Sequence, residues 1–202
     1  MLQDSKLDAA LKGVTPKTYT GRLSRRVGLS VLLSPIRSGG KISDLSFLFA
    51  GRNRNRFSRQ GGPASLYMGD SEDVGSAEMK RVALLGDFAR TPRDPDAIFW
   101  AQVHFPDAVL DLTNSSVLKA IKATDAEIYD PHWKDILPAS PPELLGAAAF
   151  RSGQFAAIKY WSVRMRQAGT KGECFCIFKS RVKAPCYIRF SSPTLGTFEE
   201  WK

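Results

Sequence analysis

The stretch RFSRQGGPASLYMGDSEDVGSAEM, residues 56–79, passes from an irregular polar segment into a strand and then into a helix. Gly61, Gly62 and Pro63 interrupt regular structure. Residues 63–68 (PASLYM) read as a strand bounded by these breakers and by Gly69. Asp70 or Ser71 then offers a side-chain oxygen to the free N–H groups of a helix start. The helix is expected over residues 71–84, carrying Val74, Ala77, Glu78 and Val82. A strand feeding a helix, with several more short strands elsewhere, sets the class as α+β.

Working outward, residues 1–17 form a polar lead-in in which Leu2, Leu7 and Leu11 make one weak helical stripe. Residues 18–23 (TYTGRL) read as a strand. Residues 34–46 are loop, broken by Pro35, Gly39 and Gly40. Downstream, residues 99–105 (FWAQVHF) alternate and are rich in aromatics and Val, a strand pattern. Residues 109–112 form a short apolar edge, and 115–121 a short helix. Pro138, Pro141 and Pro142 precede a helix at about 143–152. Strands follow at 156–161, 174–178 and 187–190, with 164–172 read as loop. No internal repeat or low-complexity tract appears. The organisation expected is a lead-in, 1–17, and one domain, 18–202, with a mixed β core and two or three flanking helices.

Composition narrows the function classes. The chain has 202 residues, of which 43% are apolar, enough for a sizeable core. No apolar run approaches the roughly 20 residues that span a bilayer. MLQDSKLDAALKG at the start lacks the apolar stretch of a secretory signal, so a cytoplasmic location without membrane contact is expected. Cys174, Cys176 and Cys186 are not near His104 or His132 in sequence. No metal site is therefore expected, and the thiols read as reduced core residues.

The net charge of +9 is concentrated at the front. Residues 1–60 hold 12 Lys and Arg against three Asp, whereas the remainder is balanced at 17 of each sign. The peak is Arg52, Arg54, Arg56 and Arg59. A planar guanidinium fork suits phosphate or carboxylate, so the segment points to nucleotides, nucleic acid or an acidic protein. A solvated basic loop is the plainer reading.

Three stations carry candidate chemistry. Arg22 lies inside an otherwise apolar strand, where a charge needs a partner or a ligand. Arg56 and Phe57 lead to Tyr67 at a strand end and to Glu78 about two turns into a helix. A carboxylate near a helix–sheet junction is costly unless it binds something. The third station is Tyr160-Trp161-Ser162, where a strand ends on a hydroxyl. No His or Asp stands beside Ser162 and no G-x-S-x-G elbow is present, so Ser162 reads as a hydrogen-bonding group rather than a nucleophile. Surface readings compete for Arg22 and Glu78, and a core reading for Tyr67.

Taken in this order, Arg22 in TYTGRL, Arg56 in NRFS, and Tyr67 and Glu78 in LYMGDSEDVGSAEM resemble the RES domain family, the toxin half of bacterial RES–Xre toxin–antitoxin pairs. AVLDLT (108–113), AEIYDPHW (126–133), GQFAAIKYWSVR with Ser162, and CFCIF extend the likeness over about residues 18–180. Two departures stand out. The span from Arg22 to Arg56 is long, so Arg25 and Arg26 are alternatives for the first arginine. Trp161 occupies the place of the family's usual Pro before the Ser.

The resemblance implies a fold like the ADP-ribosyltransferase toxins. It implies NAD⁺ as substrate, consumed by hydrolysis or phosphorolysis or by transfer of ADP-ribose to a protein target. Arg22 and Arg56 would clamp the pyrophosphate, Tyr67 would stack on nicotinamide, and Glu78 would stabilise the cationic ribose. Ser162 would bond the nicotinamide ribose or amide. A cognate Xre-like antitoxin is the implied partner, inserting acidic residues among the arginines. The competing reading is a nucleic-acid-binding module without activity, built on the basic front and Phe47, Phe49 and Phe57.

Overall fold

The computed structural model describes residues 4–28, 54–84, 96–191 and 200–202. Leu2, Phe47, Phe49, Arg52 and the loop expected at 34–46 lie outside these. Helix α1, Asp4–Lys12, realises the weak stripe of the lead-in, with Leu7 and Leu11 fully buried. Strand β1, Lys17–Gly28, runs further than the segment expected. Strand β2, Ser65–Gly69, and helix α2, Glu72–Leu84, follow the reading of the central stretch closely.

Strand β3, Asp96–Asp111, is one continuous strand where the sequence suggested two pieces. Pro106 and Asp107 look like a break. They are instead absorbed as a bulge opposite Lys17 and Tyr19, with Asp107 at φ 43°. The Thr18 hydroxyl donates to the Asp107 carboxylate at 2.9 Å, and the Asp107 N–H donates back to it at 3.0 Å. An Asp tolerates positive φ, and a proline at a bulge removes no ladder hydrogen bond.

The remaining elements are α3 (Ser115–Ala120), α4 (Asp125–Tyr129), α5 (Pro141–Ser152), β4 (Ala157–Trp161), α6 (Val163–Gln167), β5 (Glu173–Phe178), β6 (Tyr187–Ser191) and β7 (Glu200–Trp201). Helix α4 starts on a reciprocal cap between Thr124 and Glu127. In α5, Pro141 and Pro142 occupy the first turn rather than preceding the helix, because a missing N–H costs nothing there. Helix α6 falls in a segment expected to be loop; Ser162 caps it.

The strands lie in the order β1-β2-β5-β4-β3-β6-β7, and β1 also pairs with β3. That extra pairing closes β1, β2, β5, β4 and β3 into a ring, with β6 and β7 continuing from the other edge of β3. Only the β3–β4 pair is parallel. Alternation along β5 divides two cores. Phe175 and Ile177 join Leu23, Leu66, Phe99 and Val103 within the ring. Cys174, Cys176 and Phe178 face the helices, with Leu11, Leu145 and Phe155. Each fully buried Phe or Leu contributes about 1.5–3 kcal/mol. The mixed β core with flanking helices is the class expected. Among the described residues no helix is long and apolar enough to cross a membrane.

Candidate active site

The helix-facing side of β2, β5 and β4 brings together several of the residues singled out. Helix α2 docks there through Val74. A Cβ added at Gly69 would stand 2.6 Å from Val74 Cγ1, and one at Gly172 would stand 2.3 Å from Val74 Cγ2. The two glycines form a notch that Val74 fills, with Met165 also against Gly172. Glu78 lies one turn beyond Val74 and so projects from the same face of the helix.

Glu78 is fixed through one oxygen. The Ser162 hydroxyl donates to Glu78 Oε1 at 2.7 Å. Ser162 is fully buried; its oxygen accepts from the Met165 N–H at 3.2 Å, capping α6. The Cys174 thiol approaches the same Oε1 at 3.8 Å. Among the described residues no donor is aimed at Glu78 Oε2, and Glu78 is part-exposed. The carboxylate is thus oriented on one side and open on the other. Burial, reinforced by the neighbouring Glu78 charge, holds the Cys174 thiol well above its ordinary pKa of 9.0, so it is a neutral donor.

Tyr160 lies near enough to this carboxylate and to Tyr67 to feel both. Tyr160 is buried and packs edge-on against Phe57, with ring centroids 4.8 Å apart. The Tyr67 hydroxyl accepts from the Phe57 N–H at 3.1 Å, while its residue keeps some solvent access. Burial pushes the Tyr67 phenol well above 10.0, with the Cys176 thiol adding to the shift; Arg56 and the Phe57 N–H pull against it. Burial likewise raises Tyr160, helped by Cys174 and Glu78. Both phenols are therefore neutral hydrogen-bonding groups.

The arginines divide. Arg25 donates from Nη1 to the Tyr67 carbonyl at 3.0 Å. Burial draws its pKa down to about 10, opposed by the Tyr67 and Tyr160 phenols rather than by any carboxylate. Arg25 is half-buried, and no carboxylate pairs with it among the described residues. Arg56, 6% exposed, donates to the Ile128 carbonyl at 2.8 Å and the Asp130 carbonyl at 3.2 Å, binding the end of α4. It borders the site through Phe57 and Tyr67. Arg22 is not in the group: it is exposed, and its guanidinium stacks 3.9 Å from the Trp100 ring centre. Arg26 pairs with Asp96 at 3.0 Å. Of the three candidates for the first arginine, Arg25 is the one that reaches Tyr67. Within the basic peak, Arg54 is not free for an anion either, because it grips Glu143 with both forks at 2.6 Å and takes the Lys134 and Ile136 carbonyls.

Sequence reading passed over Cys174 and the Phe57 N–H. Alternation along CFCIF places Cys174 and Cys176 on one face, which is the available signal for the thiol. The Phe57 contact is a backbone contact and has none.

The fold and the site define an α+β protein with a part-exposed carboxylate on the helix-facing side of a closed sheet. The RES domain model matches residues 36–194, so the chain belongs to the RES domain family. That match starts beyond β1 and does not include Arg22 or Arg25. Among solved structures, the M. tuberculosis MbcT–MbcA toxin–antitoxin complex is similar at TM-score 0.58 and 18% identity, over 94% of this chain and 90% of that one. No curated protein sequence matches.

Proposed function

We propose that this chain is a RES-family toxin that consumes NAD⁺ by cleaving its nicotinamide–ribose bond, and that a cognate Xre-like antitoxin holds it inert. The observation that carries the reading is the state of Glu78. One oxygen is pinned by Ser162 and the other meets no donor among the described residues, on the sheet face that carries Tyr67, whose carbonyl Arg25 reaches.

In the reaction, the C–N bond between ribose and nicotinamide breaks and its electron pair leaves with nicotinamide. Positive charge then develops on the ribose. Glu78 Oε2 is the group to hold a ribose hydroxyl and stabilise that charge. Ser162 keeps the carboxylate turned to the task rather than bonding the substrate directly. Tyr67 offers a ring edge for nicotinamide. Arg25 takes the pyrophosphate role first expected of Arg22, and Arg56 supplies a buried positive charge near Tyr67. Water, phosphate or a protein side chain adds to the ribose carbon and loses a proton, giving hydrolysis, phosphorolysis or ADP-ribosyl transfer. The antitoxin assignment is supported by the similar chain's occurrence in a toxin–antitoxin complex.

The test is incubation of the purified protein with NAD⁺, with and without phosphate. Nicotinamide, ADP-ribose and phosphorylated ADP-ribose are separated, and lysate proteins are checked for label. Glu78→Gln should lower turnover by about 10²–10³ while leaving the fold intact. Wild-type turnover in that variant would remove Glu78 from the mechanism. The nucleic-acid reading gains no support from Arg26 and Arg54, whose guanidinium groups are paired with Asp96 and Glu143 within the protein.

A further inference from the structure

Arg22, which the candidate site leaves out, belongs to a second surface. We propose that the outward face of β1, β3 and β6 docks an acidic segment of a partner polypeptide, with Arg22 and Arg189 gripping its carboxylates.

The register sets the spacing. Arg22 pairs with Gln102, and Gln102 pairs with Arg189, so the three form one row across the sheet. With strands about 4.8 Å apart, the two arginines start about 10 Å from each other. Arg22 and Gln102 are exposed, and the Arg189 side chain is 62% exposed. Two acids one strand-width either side of Gln102 would meet both forks. On a helix this is a separation of seven residues, about 10.5 Å.

The rings of this face decide between classes of partner. Arg22 already covers Trp100 at 3.9 Å. Tyr187 is flanked by His104 at 5.5 Å and by Arg189 at 5.8 Å. The aromatic surfaces that would stack nucleic-acid bases are therefore taken up by cations and by His104. What the guanidinium groups still present is their N–H edges, which fit carboxylates in pairs. Arg26 nearby is closed off by Asp96, whereas Arg22 meets no carboxylate among the described residues. Arg189 holds the chain's own Glu200 only at 3.5 Å, and Lys202 shares that acid at 3.3 Å. Glu200 arrives on β7, the short strand added at the β6 edge, so this row already accepts an acid carried on an added segment.

The probe is a fluorescein-labelled, alanine-rich helical peptide with two glutamates seven residues apart, read by anisotropy on the full chain. Arg22→Glu and Arg189→Glu should each weaken binding by about tenfold, with Arg22→Gln intermediate, and added salt should weaken the wild type. Lys119→Glu, on the exposed side of α3, should change nothing. Thermal melts check that each variant is folded. Equal binding by Arg22→Gln and wild type overturns the proposal. So does equal weakening by Lys119→Glu, which would mark diffuse attraction to a basic protein. Tighter, Arg22-dependent binding of single-stranded oligothymidylate would assign the face to nucleic acid and overturn it as well. None of these outcomes depends on NAD⁺ turnover.

Discussion

Glu78 shows how a single oxygen can be assigned work by its neighbours. Ser162 serves two partners, accepting from the Met165 N–H and donating to Oε1. Ser162→Ala should therefore cost about 1 kcal/mol through the lost cap, and should also release Glu78. Turnover should fall more than stability does, and urea unfolding beside NAD⁺ kinetics separates the two effects. Cys174→Ala removes only the weaker donor and should act in the same direction with a smaller effect; Cys174→Ser should restore most of the loss. Gly146 is a stricter case. A Cβ there would lie 2.0 Å from the Phe57 carbonyl oxygen and 2.6 Å from its carbon, both backbone atoms that cannot swing away. Gly146→Ala should destabilise the protein by about 1–3 kcal/mol or more, against the small gain Ala normally brings to a helix. It should also disturb the Phe57 N–H that holds Tyr67, so both the melting temperature and NAD⁺ turnover should drop.

At the level of elements, one cross-connection holds the segment carrying Arg56 against α5. Burial works against the charge on Glu143, but the Arg54 fork and the Ser140 N–H and hydroxyl outweigh it and hold the carboxyl below its ordinary 4.5. A depressed carboxyl stabilises the fold above its unfolded pKa, and that stability disappears as pH falls through the folded value. Acid below about pH 4.5 should thus loosen the start of α5. Arg54→Ala should remove this pH dependence and cost on the order of 3–5 kcal/mol at neutral pH, since it strands a carboxylate that is 1% exposed. Urea titrations at pH 7 and pH 3 check both. How much of this was legible follows from range. Helix α2 could be read because its cap and its preceding strand are local. The continuity of β3 could not, because Pro106-Asp107 announces a break and only the partner strand turns it into a bulge. Helix α6 was hidden because a capping Ser and a strand-end Ser look alike in sequence. At the site, Glu78 and Ser162, singled out in separate stretches of sequence, meet in one hydrogen bond. Arg22 was placed first although it lies three residues from Arg25, an odd step that changes faces in an extended strand.

For the whole molecule, charge and topology act together. The arginines of the front segment look like a ligand-seeking patch when only charges are counted. In the fold, Arg54 and Arg56 fasten the α4–α5 region, and Arg25 and Arg26 fasten β1 to its surroundings. Counting charge gives the sign of a side chain but not its partner, and these partners lie 42 to 89 residues away. The same long reach closes the ring. Strand β1 runs beside β3 along its length but meets β2 at the single register pair Ser24 and Gly69, so that seam is the weakest joint. Cys174 and Cys176 lie on β5, next to β2, and report on it. Both are fully buried; burial holds Cys174 well above 9.0 and pushes Cys176 up to about 12, so neither thiol is reactive while the ring is closed. If the molecule opens as one unit, a thiol reagent at pH 8 should modify both at the rate of global unfolding, and rising urea should accelerate both equally. Modification of Cys176 at low urea, faster than loss of the β-sheet signal, would mean instead that β2 peels from β1 on its own. Gly69→Ala, which forces Val74 aside by the same seam, should then shift the protein towards that behaviour. Mass spectrometry of the labelled peptides over a urea series reads all of these outcomes.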